Sequence, residues 1–141
     1  IELLDLGDAD YMNFVRPEHA GYVRAYERFK EESGFKPELI EFQGFRPDLR
    51  YAGTLDRIGK LNKQDWLLDI KTGDAAPWHS LQTAGYKLLK QEWRMYKRGS
   101  LYLHEDGTYK LETHDDPADE GVFLSALALY WWRENNGIKH D

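Results

Sequence analysis

The sequence predicts an α/β protein with a central mixed β-sheet flanked by helices on both sides. Alternating apolar and polar residues within 51–73 indicate two strands, which the polar stretch 60–65 joins into a β-hairpin. Apolar residues at helical spacing indicate one helix before this hairpin and two after it. The Asp106-Gly107 pair is a strong turn signal for a second hairpin. We therefore expect the order helix, three strands, helix, two strands, helix.

Length and composition indicate a single domain. A chain of 141 residues is long enough for one sheet with flanking helices, and 41% hydrophobic with 31% charged residues is ordinary for a globular protein. No apolar run approaches the roughly 18 residues of a membrane span, and no secretory signal is visible, so we expect a cytoplasmic protein without a membrane partner. The absence of cysteine excludes disulfides, thiolate metal sites and an iron–sulfur cluster.

The first helix that the pattern defines well runs from about Glu18 to Ser33. Pro17 is favourable at a helix start, and Gly34 is a typical residue after a helix end. An aromatic stripe at spacings of three and four should face the core, and it consists of Tyr22, Ala25, Tyr26 and Phe29. Upstream, the apolar residues of 1–6 fit the end of an amphipathic helix that stops at Gly7. The chain starts in the middle of a pattern and without methionine, which is consistent with a fragment or a processed product.

The remaining elements follow from the same rules. We predict a first strand over 38–45, a turn-rich connection and a second strand over 51–58, followed by the strand of the hairpin that ends near Gly73. A long helix is predicted over 78–97, ended by Gly99. Strands over 100–104 and 108–113 and a final helix, capped by 115–117 and ending near Glu134, complete the chain.

Two carboxylates and a lysine are expected on one face of the sheet. Asp69 and Lys71 are two residues apart on a strand, so they point the same way, and antiparallel pairing brings Asp56 beside them. Burying two carboxylates and a lysine without full pairing would cost several kcal/mol. A hard divalent cation such as Mg²⁺, which accepts one or two carboxylates plus waters, would compensate that cost. The alternative is an ordinary Asp–Lys pair on a solvated sheet face, which contributes little to stability.

Three motifs in this order resemble those of the PD-(D/E)XK nuclease superfamily, and the RecB-like exonuclease clade with its phage-encoded members is most similar. They are Gly53-Thr-Leu-Asp56, then Asp69-Ile-Lys-Thr-Gly73, then Gln82-Thr-Ala-Gly-Tyr86. The resemblance covers about 21–89. It implies a restriction-endonuclease-like core in a single nuclease-like domain over 1–141, and a Mg²⁺-dependent DNA nuclease, most typically an exonuclease of recombination or repair. Mn²⁺ is expected to substitute for Mg²⁺.

The resemblance also implies roles for individual residues. Asp56 and Asp69 would bind the metal, with the backbone carbonyl of Ile70 as a further ligand, and Lys71 would be the catalytic lysine. Glu41 precedes the Gly-x-x-Asp strand and is either a residue at the edge of the metal site or an outward-facing glutamate. On the following helix, two residues would contact the DNA strand near the scissile phosphate, namely Gln82 and Tyr86.

The predicted long helix also suggests a basic stripe for DNA. The net charge of −6 disfavours a nucleic-acid partner, so a DNA-binding protein of this charge needs a local positive surface. At about 100° per residue, a helix over 78–97 would place Lys90, Arg94 and Lys97 near the Gln82–Tyr86 face. The alternative is a solvated basic face without a ligand.

Two features favour a different class, a catalytically inactive DNA-binding or assembly module on the same fold. Relatives in the clade carry a motif histidine in a helix that would precede Ile1, so the sequence given lacks it. The final helix is apolar nearly all round, with Trp131 and Trp132 near its end. We therefore expect this helix to be buried or to mediate oligomerisation.

Overall fold

The computed structural model describes residues 16–139 and contains the predicted order of elements in that range. The helices are α1 (Ala20–Ser33), α2 (His79–Lys87) and α3 (Ala118–Asn135). The strands are β1 (Lys36–Arg46), β2 (Tyr51–Leu61), β3 (Gln64–Lys71), β4 (Lys97–Leu103) and β5 (Tyr109–Thr113). Two short 3₁₀ turns lie at Pro17–His19 and Gln91–Trp93. The helix end predicted at Gly7 lies outside the described residues.

The five strands form one mixed sheet in the order β1-β2-β3-β4-β5. The neighbours β1–β2, β2–β3 and β4–β5 are antiparallel, whereas β3 and β4 are parallel. The parallel pair requires a crossover connection, and the segment that contains α2 supplies it. The predicted α/β class, a central mixed sheet with flanking helices, is therefore confirmed.

Each face of the sheet has its own apolar core. On one face, the predicted stripe of α1 packs on β3 and β4, and Tyr26 and Phe29 are almost fully buried there against Leu68 and Leu101. The other face carries a cluster that includes residues just after α2, formed by Leu55, Ile58, Leu67, Leu89 and Trp93. We call these the α1 face and the α2 face of the sheet. Helix α3 lies against α2.

Helix α1 packs closely on the turn between β4 and β5. A Cβ atom on Gly21 would lie 1.7 Å from the carbonyl oxygen of Glu105, so only glycine allows this approach. The helix ends where predicted, because Gly34 adopts the left-handed conformation at φ 73° and its N–H bonds to the Lys30 carbonyl.

The first hairpin turn is shorter than the predicted stretch 60–65. Leu61 pairs directly with Gln64, so the turn consists of Asn62 and Lys63 alone. Both have positive φ, 51° and 64°, which is the backbone conformation of a tight two-residue hairpin turn. Because asparagine tolerates this conformation, the strands continue on both sides through positions that the sequence predicts as loop.

The long helix predicted over 78–97 is wrong beyond its first half. Helix α2 ends at Lys87, and β4 begins at Lys97. Gly99, predicted to end the helix, lies within β4 opposite Thr113. Met95, expected on the core side, is 86% exposed. Parallel pairing of β4 with β3 is a long-range interaction, and it overrides the helical spacing of the local sequence.

Helix α3 is largely exposed, so the prediction of a buried final helix is wrong. The exposed fractions are 49% for Val122, 51% for Leu129 and 56% for Trp132. Trp131 lies against the turn between β1 and β2, where its Nε1–H donates to the Arg50 carbonyl oxygen at 3.0 Å. Oligomerisation through this helix stays a prediction. Within residues 16–139, none of the helices combines the length and hydrophobicity that crossing a membrane requires.

Candidate metal centre

Asp56 lies at the point where β2 leaves β3. The pairing of these strands runs from Leu61 with Gln64 to Arg57 with Leu68. One step further, Asp56 would face Asp69. There the Asp56 side chain accepts a 2.7 Å hydrogen bond from the backbone N–H of Ile70 at Oδ2. The Asp56 side chain thus satisfies the Ile70 N–H close to the end of the β2–β3 pairing, and this contact holds the Asp56 carboxyl group against β3.

An irregularity in β2 turns Asp56 towards the α2 face. Leu55 and Ile58 belong to the same apolar cluster although they are three residues apart. Strict alternation would put them on opposite faces, so the alternation breaks between them. On the neighbouring strand, Glu41 stands opposite Asp56 in register and has φ 55°. Its side chain is exposed, and no described contact joins it to the carboxyl pair, so its catalytic role stays a prediction.

Asp69 and Lys71 lie together on the α2 face, as strand periodicity predicts. Asp69 is only 4% exposed. Its Oδ2 lies 3.0 Å from Nζ of Lys71, whose side chain is 24% exposed. This oxygen nevertheless has no hydrogen-bond donor among the described residues, so the Lys71 ammonium does not approach it at a hydrogen-bonding angle. The contact is therefore an ion pair that leaves a buried acceptor unsatisfied.

The two carboxyl groups interact directly. Burial first, and then a hydrogen bond with Asp69, raise the pKa of Asp56 to about 7, although the Ile70 N–H acts in the opposite direction. Two carboxylates side by side repel each other, so Asp56 keeps its proton to a higher pH than an isolated carboxyl group does. The site consequently carries more negative charge than Lys71 alone can balance once both groups ionise.

Gln82 and Tyr86 lie one helical turn apart on α2, as predicted. The Tyr86 ring packs over β2, where a Cβ on Gly53 would lie 3.1 Å from it. Burial raises the pKa of Tyr86 to about 12, and the charges of Asp69 and Asp56 contribute. The Oε1 atom of Gln82 is buried and has no hydrogen-bond donor among the described residues. The helix therefore brings a protonated phenol close to the acidic pair, with an unsatisfied amide on the same side of the helix.

The acidic pair fits a hard divalent cation. It offers a buried carboxylate oxygen without a donor, on Asp69, and a second carboxyl group, on Asp56, whose ionisation is opposed by its neighbour. Among residues 16–139, no cluster of three or more His, Cys, Asp or Glu side chains is placed to bind a metal ion. Two carboxylates are the number that Mg²⁺ commonly takes from a protein, with waters and phosphate oxygens as the other ligands. The carbonyl of Ile70 as a ligand stays a prediction.

The predicted basic stripe is wrong, because its members do not share a helix. Lys90 follows α2, and its Nζ lies 3.2 Å from Glu92 and 4.7 Å from the centre of the Phe42 ring. Arg94 is exposed beyond the 3₁₀ turn. Lys97 opens β4, and its Nζ lies 5.7 Å from the ring of Trp66, a residue of the α1 face.

The structure adds a row of buried polar residues that the sequence analysis missed. Ser100 pairs with Asp69 and Tyr102 pairs with Lys71 across the parallel strands. Each bonds to a buried histidine at 2.8 Å, Tyr102 to His79 and Ser100 to His114. Alternating polar residues along 98–102 were the available signal. The pattern alone does not show which strand lies beside this segment, and the parallel pairing with β3 is what places it next to Asp69 and Lys71.

The comparisons with known proteins add no functional information. No protein-family profile matches the chain, and no curated protein matches it. Among solved structures, the chain is similar to one titled "Crystal structure of SSO0001", with a TM-score of 0.46 and 19% sequence identity over 77% of this chain. The chain spans about half of that protein, 54% of its length.

Proposed function

We propose that this protein is a Mg²⁺-dependent DNA nuclease that hydrolyses phosphodiester bonds, acting as an exonuclease in recombination or repair. The observation that carries the proposal is the convergence of three side chains on the α2 face. Asp56 and Asp69 share a buried site, and the ammonium of Lys71 lies 3.0 Å from Asp69. The motif resemblance supports the same assignment.

In the proposed mechanism, Asp56 and Asp69 bind the divalent cation. A cation held there would supply Lewis-acid chemistry, which polarises a phosphate and lowers the pKa of a coordinated water. Lys71 holds a positive charge beside the reacting phosphate, where it offsets the negative charge that builds up on the oxygens in the transition state. Its partial exposure lets the ammonium reach a substrate without leaving the acidic pair.

Helix α2 would position the DNA strand. With a pKa of about 12, Tyr86 keeps its hydroxyl proton at neutral pH and donates a hydrogen bond to a phosphate oxygen. The amide group of Gln82, four residues earlier, binds the backbone beside it. These contacts fix the register of the strand without reading its sequence.

A second candidate is the catalytically inactive DNA-binding or assembly module. One observation favours it, namely that the apolar side chains of α3, with Leu129 and Trp132 half-exposed or more, are not covered by this chain in the described structure. A pure assembly module would not cleave DNA under any metal condition. Sedimentation of the wild type and of Trp132→Glu separates an assembling protein from a monomeric one.

Cleavage of linear DNA with and without Mg²⁺ tests the proposed function. We expect cleavage that stops with a chelator and falls by at least about a hundredfold in Lys71→Ala, the range typical of losing a transition-state charge partner. Lys63→Ala is the matched control, because Lys63 lies in the hairpin turn at the other end of β3. Undiminished cleavage by Lys71→Ala would contradict the role of the lysine. No cleavage by the wild type would favour the binding module.

A further inference from the structure

A buried hydrogen-bonded pair, His79 and Tyr102, lies next to the acidic pair and has no role in the mechanism above. His79 is the first residue of α2 and is 8% exposed, whereas Tyr102 is 2% exposed near the end of β4. The Tyr102 hydroxyl lies 2.8 Å from Nδ1 of His79. Burying a phenol and an imidazole requires that each find a partner, which this contact provides.

The direction of this hydrogen bond follows from a third group. The backbone N–H of Ala76 also points at Nδ1 of His79, at 3.3 Å. A backbone N–H can only donate, so Nδ1 carries no proton and the neutral imidazole is protonated at Nε2. The Tyr102 hydroxyl must therefore donate its proton to His79. Burial and the nearby Lys71 charge lower the pKa of His79, which keeps the imidazole neutral.

This arrangement leaves the phenolic oxygen of Tyr102 as an acceptor. Its hydrogen is committed to His79, and its two lone pairs remain. Ser100, two residues earlier on the same face of β4, contributes a hydrogen bond that lowers the pKa of Tyr102, although burial raises that pKa overall. A second acceptor position stays available on the same oxygen.

Lys71 is the donor best placed to use that position. It is the direct cross-strand partner of Tyr102 in the parallel pair, so both side chains project from the α2 face. Lys71 also contributes to the pKa of both Tyr102 and His79. The ammonium has three N–H donors, whereas its contact with Asp69 accounts for one neighbour only.

We propose that Tyr102, oriented by His79, is a positioning residue that accepts a hydrogen bond from the Lys71 ammonium when Asp69 holds a metal ion, and so keeps the ammonium at the acidic pair. This role of Tyr102 rests on the proposed function. In the proposed nuclease, Asp69 is a metal ligand, so the Lys71 ammonium needs another hydrogen-bond acceptor. Without such an acceptor, the flexible lysine side chain would sample many orientations.

The first experiment does not depend on nuclease activity. The hydrogen exchange rate of the Lys71 ammonium is measured by NMR in protein saturated with Mg²⁺, with the signal assigned through Lys71→Arg. We expect exchange several-fold faster in Tyr102→Phe than in the wild type. Tyr51→Phe is the matched control, since it also removes a hydroxyl that bonds to α2, at 2.7 Å from the Gly85 carbonyl oxygen. Equal rates in Tyr102→Phe and the wild type, or a wild-type ammonium that exchanges too fast to observe, would overturn the proposal.

The second experiment uses DNA cleavage to test the link to His79. We expect Tyr102→Phe and His79→Ala to lower kcat by about five- to tenfold with little change in KM. His79→Asn should retain most of kcat, because its side-chain oxygen can accept at the Nδ1 position. A change in KM alone, or His79→Asn as impaired as His79→Ala, would contradict the positioning role. Altered ammonium exchange in a protein that cleaves no DNA would leave this inference standing and remove the nuclease function instead.

Discussion

The backbone N–H of Ile70 donates a 2.7 Å hydrogen bond to the side chain of Asp56, at Oδ2. This contact fixes the carboxyl group beside β3 and brings it next to the buried Asp69. It also places two acidic groups where their ionisation is unfavourable, since burial and the neighbour raise the pKa of Asp56 to about 7. A group held at such a cost to stability is typical of functional sites.

Asp56→Asn should stabilise the protein at alkaline pH. The folded-state pKa of Asp56, about 7, is above the unfolded value near 3.8. The stabilising effect of its proton is therefore fully present below about pH 4 and is lost as the pH rises through 7. The asparagine cannot ionise and can still accept from Ile70. In urea unfolding with a chelator, we expect a gain of roughly 1–3 kcal/mol at pH 8, reduced for partial solvent screening, and little change at pH 4.

A control of opposite sign is available at Asp48. The hydrogen bond from Arg46 lowers the pKa of Asp48, so Asp48→Asn should lose stability at pH 8 rather than gain it. Asp56→Asn destabilising the protein equally at both pH values would contradict the electrostatic account.

Arg98→Met should destabilise the protein strongly. The Arg98 guanidinium is 5% exposed and bonds to Asp119 of α3 at 2.8 Å and to Thr83 of α2 at 3.1 Å. Removing it leaves the Asp119 carboxylate buried without its cation, and breaking a buried pair in this way costs about 3–5 kcal/mol. Thermal or urea unfolding measures the loss.

The exposed pair of Arg28 with Glu32 on α1 is the control for Arg98. Its side chains are 55% and 47% exposed, so Arg28→Met should cost far less stability than Arg98→Met. Similar losses from the two variants would show that burial does not set the strength of the Arg98 pair.

Gly21→Ala and Gly121→Ala should have opposite effects. A Cβ on Gly21 would meet the Glu105 backbone, so α1 must shift, and we expect a loss of about 1–3 kcal/mol. Gly121 lies in α3 with no atom within 4 Å of its added Cβ. Alanine there should add roughly 0.5–1 kcal/mol through helix propensity. Equal and small effects in unfolding experiments would contradict the close approach of α1 to the β4–β5 turn.

Local rules predicted the part of the site that depends on backbone periodicity. Asp69 and Lys71 share a face because side chains alternate along any strand, and Gln82 and Tyr86 share a side of α2 because they are four residues apart. Both relationships were visible in the sequence. The break in alternation before Asp56 was not visible in the sequence. It arises where β2 separates from β3 and depends on partners distant in sequence.

The error over 88–97 has a long-range physical cause. Residues 88–97 have helical spacing, yet β4 begins at Lys97 because it pairs with β3. That single misassignment produced the false basic stripe. Ser100 and Tyr102 lie in the predicted strand over 100–104, but their place beside the acidic pair depends on the parallel pairing of β4 with β3, which the local sequence does not encode. For α3, apolar composition predicted burial, but in the described structure the helix packs mainly on α2 and leaves Val122, Leu129 and Trp132 exposed.

Calorimetric titration of Mn²⁺ at pH 8, where Asp56 is largely ionised, tests the central claim most directly. We expect the wild type to bind the cation, and Asp69→Asn and Asp56→Asn each to weaken binding by at least about tenfold. Glu112→Gln, a carboxylate opposite Ser100 on β5, is the control and should bind like the wild type. No heat of binding in the wild type, or unchanged affinity in Asp69→Asn, would contradict a metal centre formed by Asp56 and Asp69.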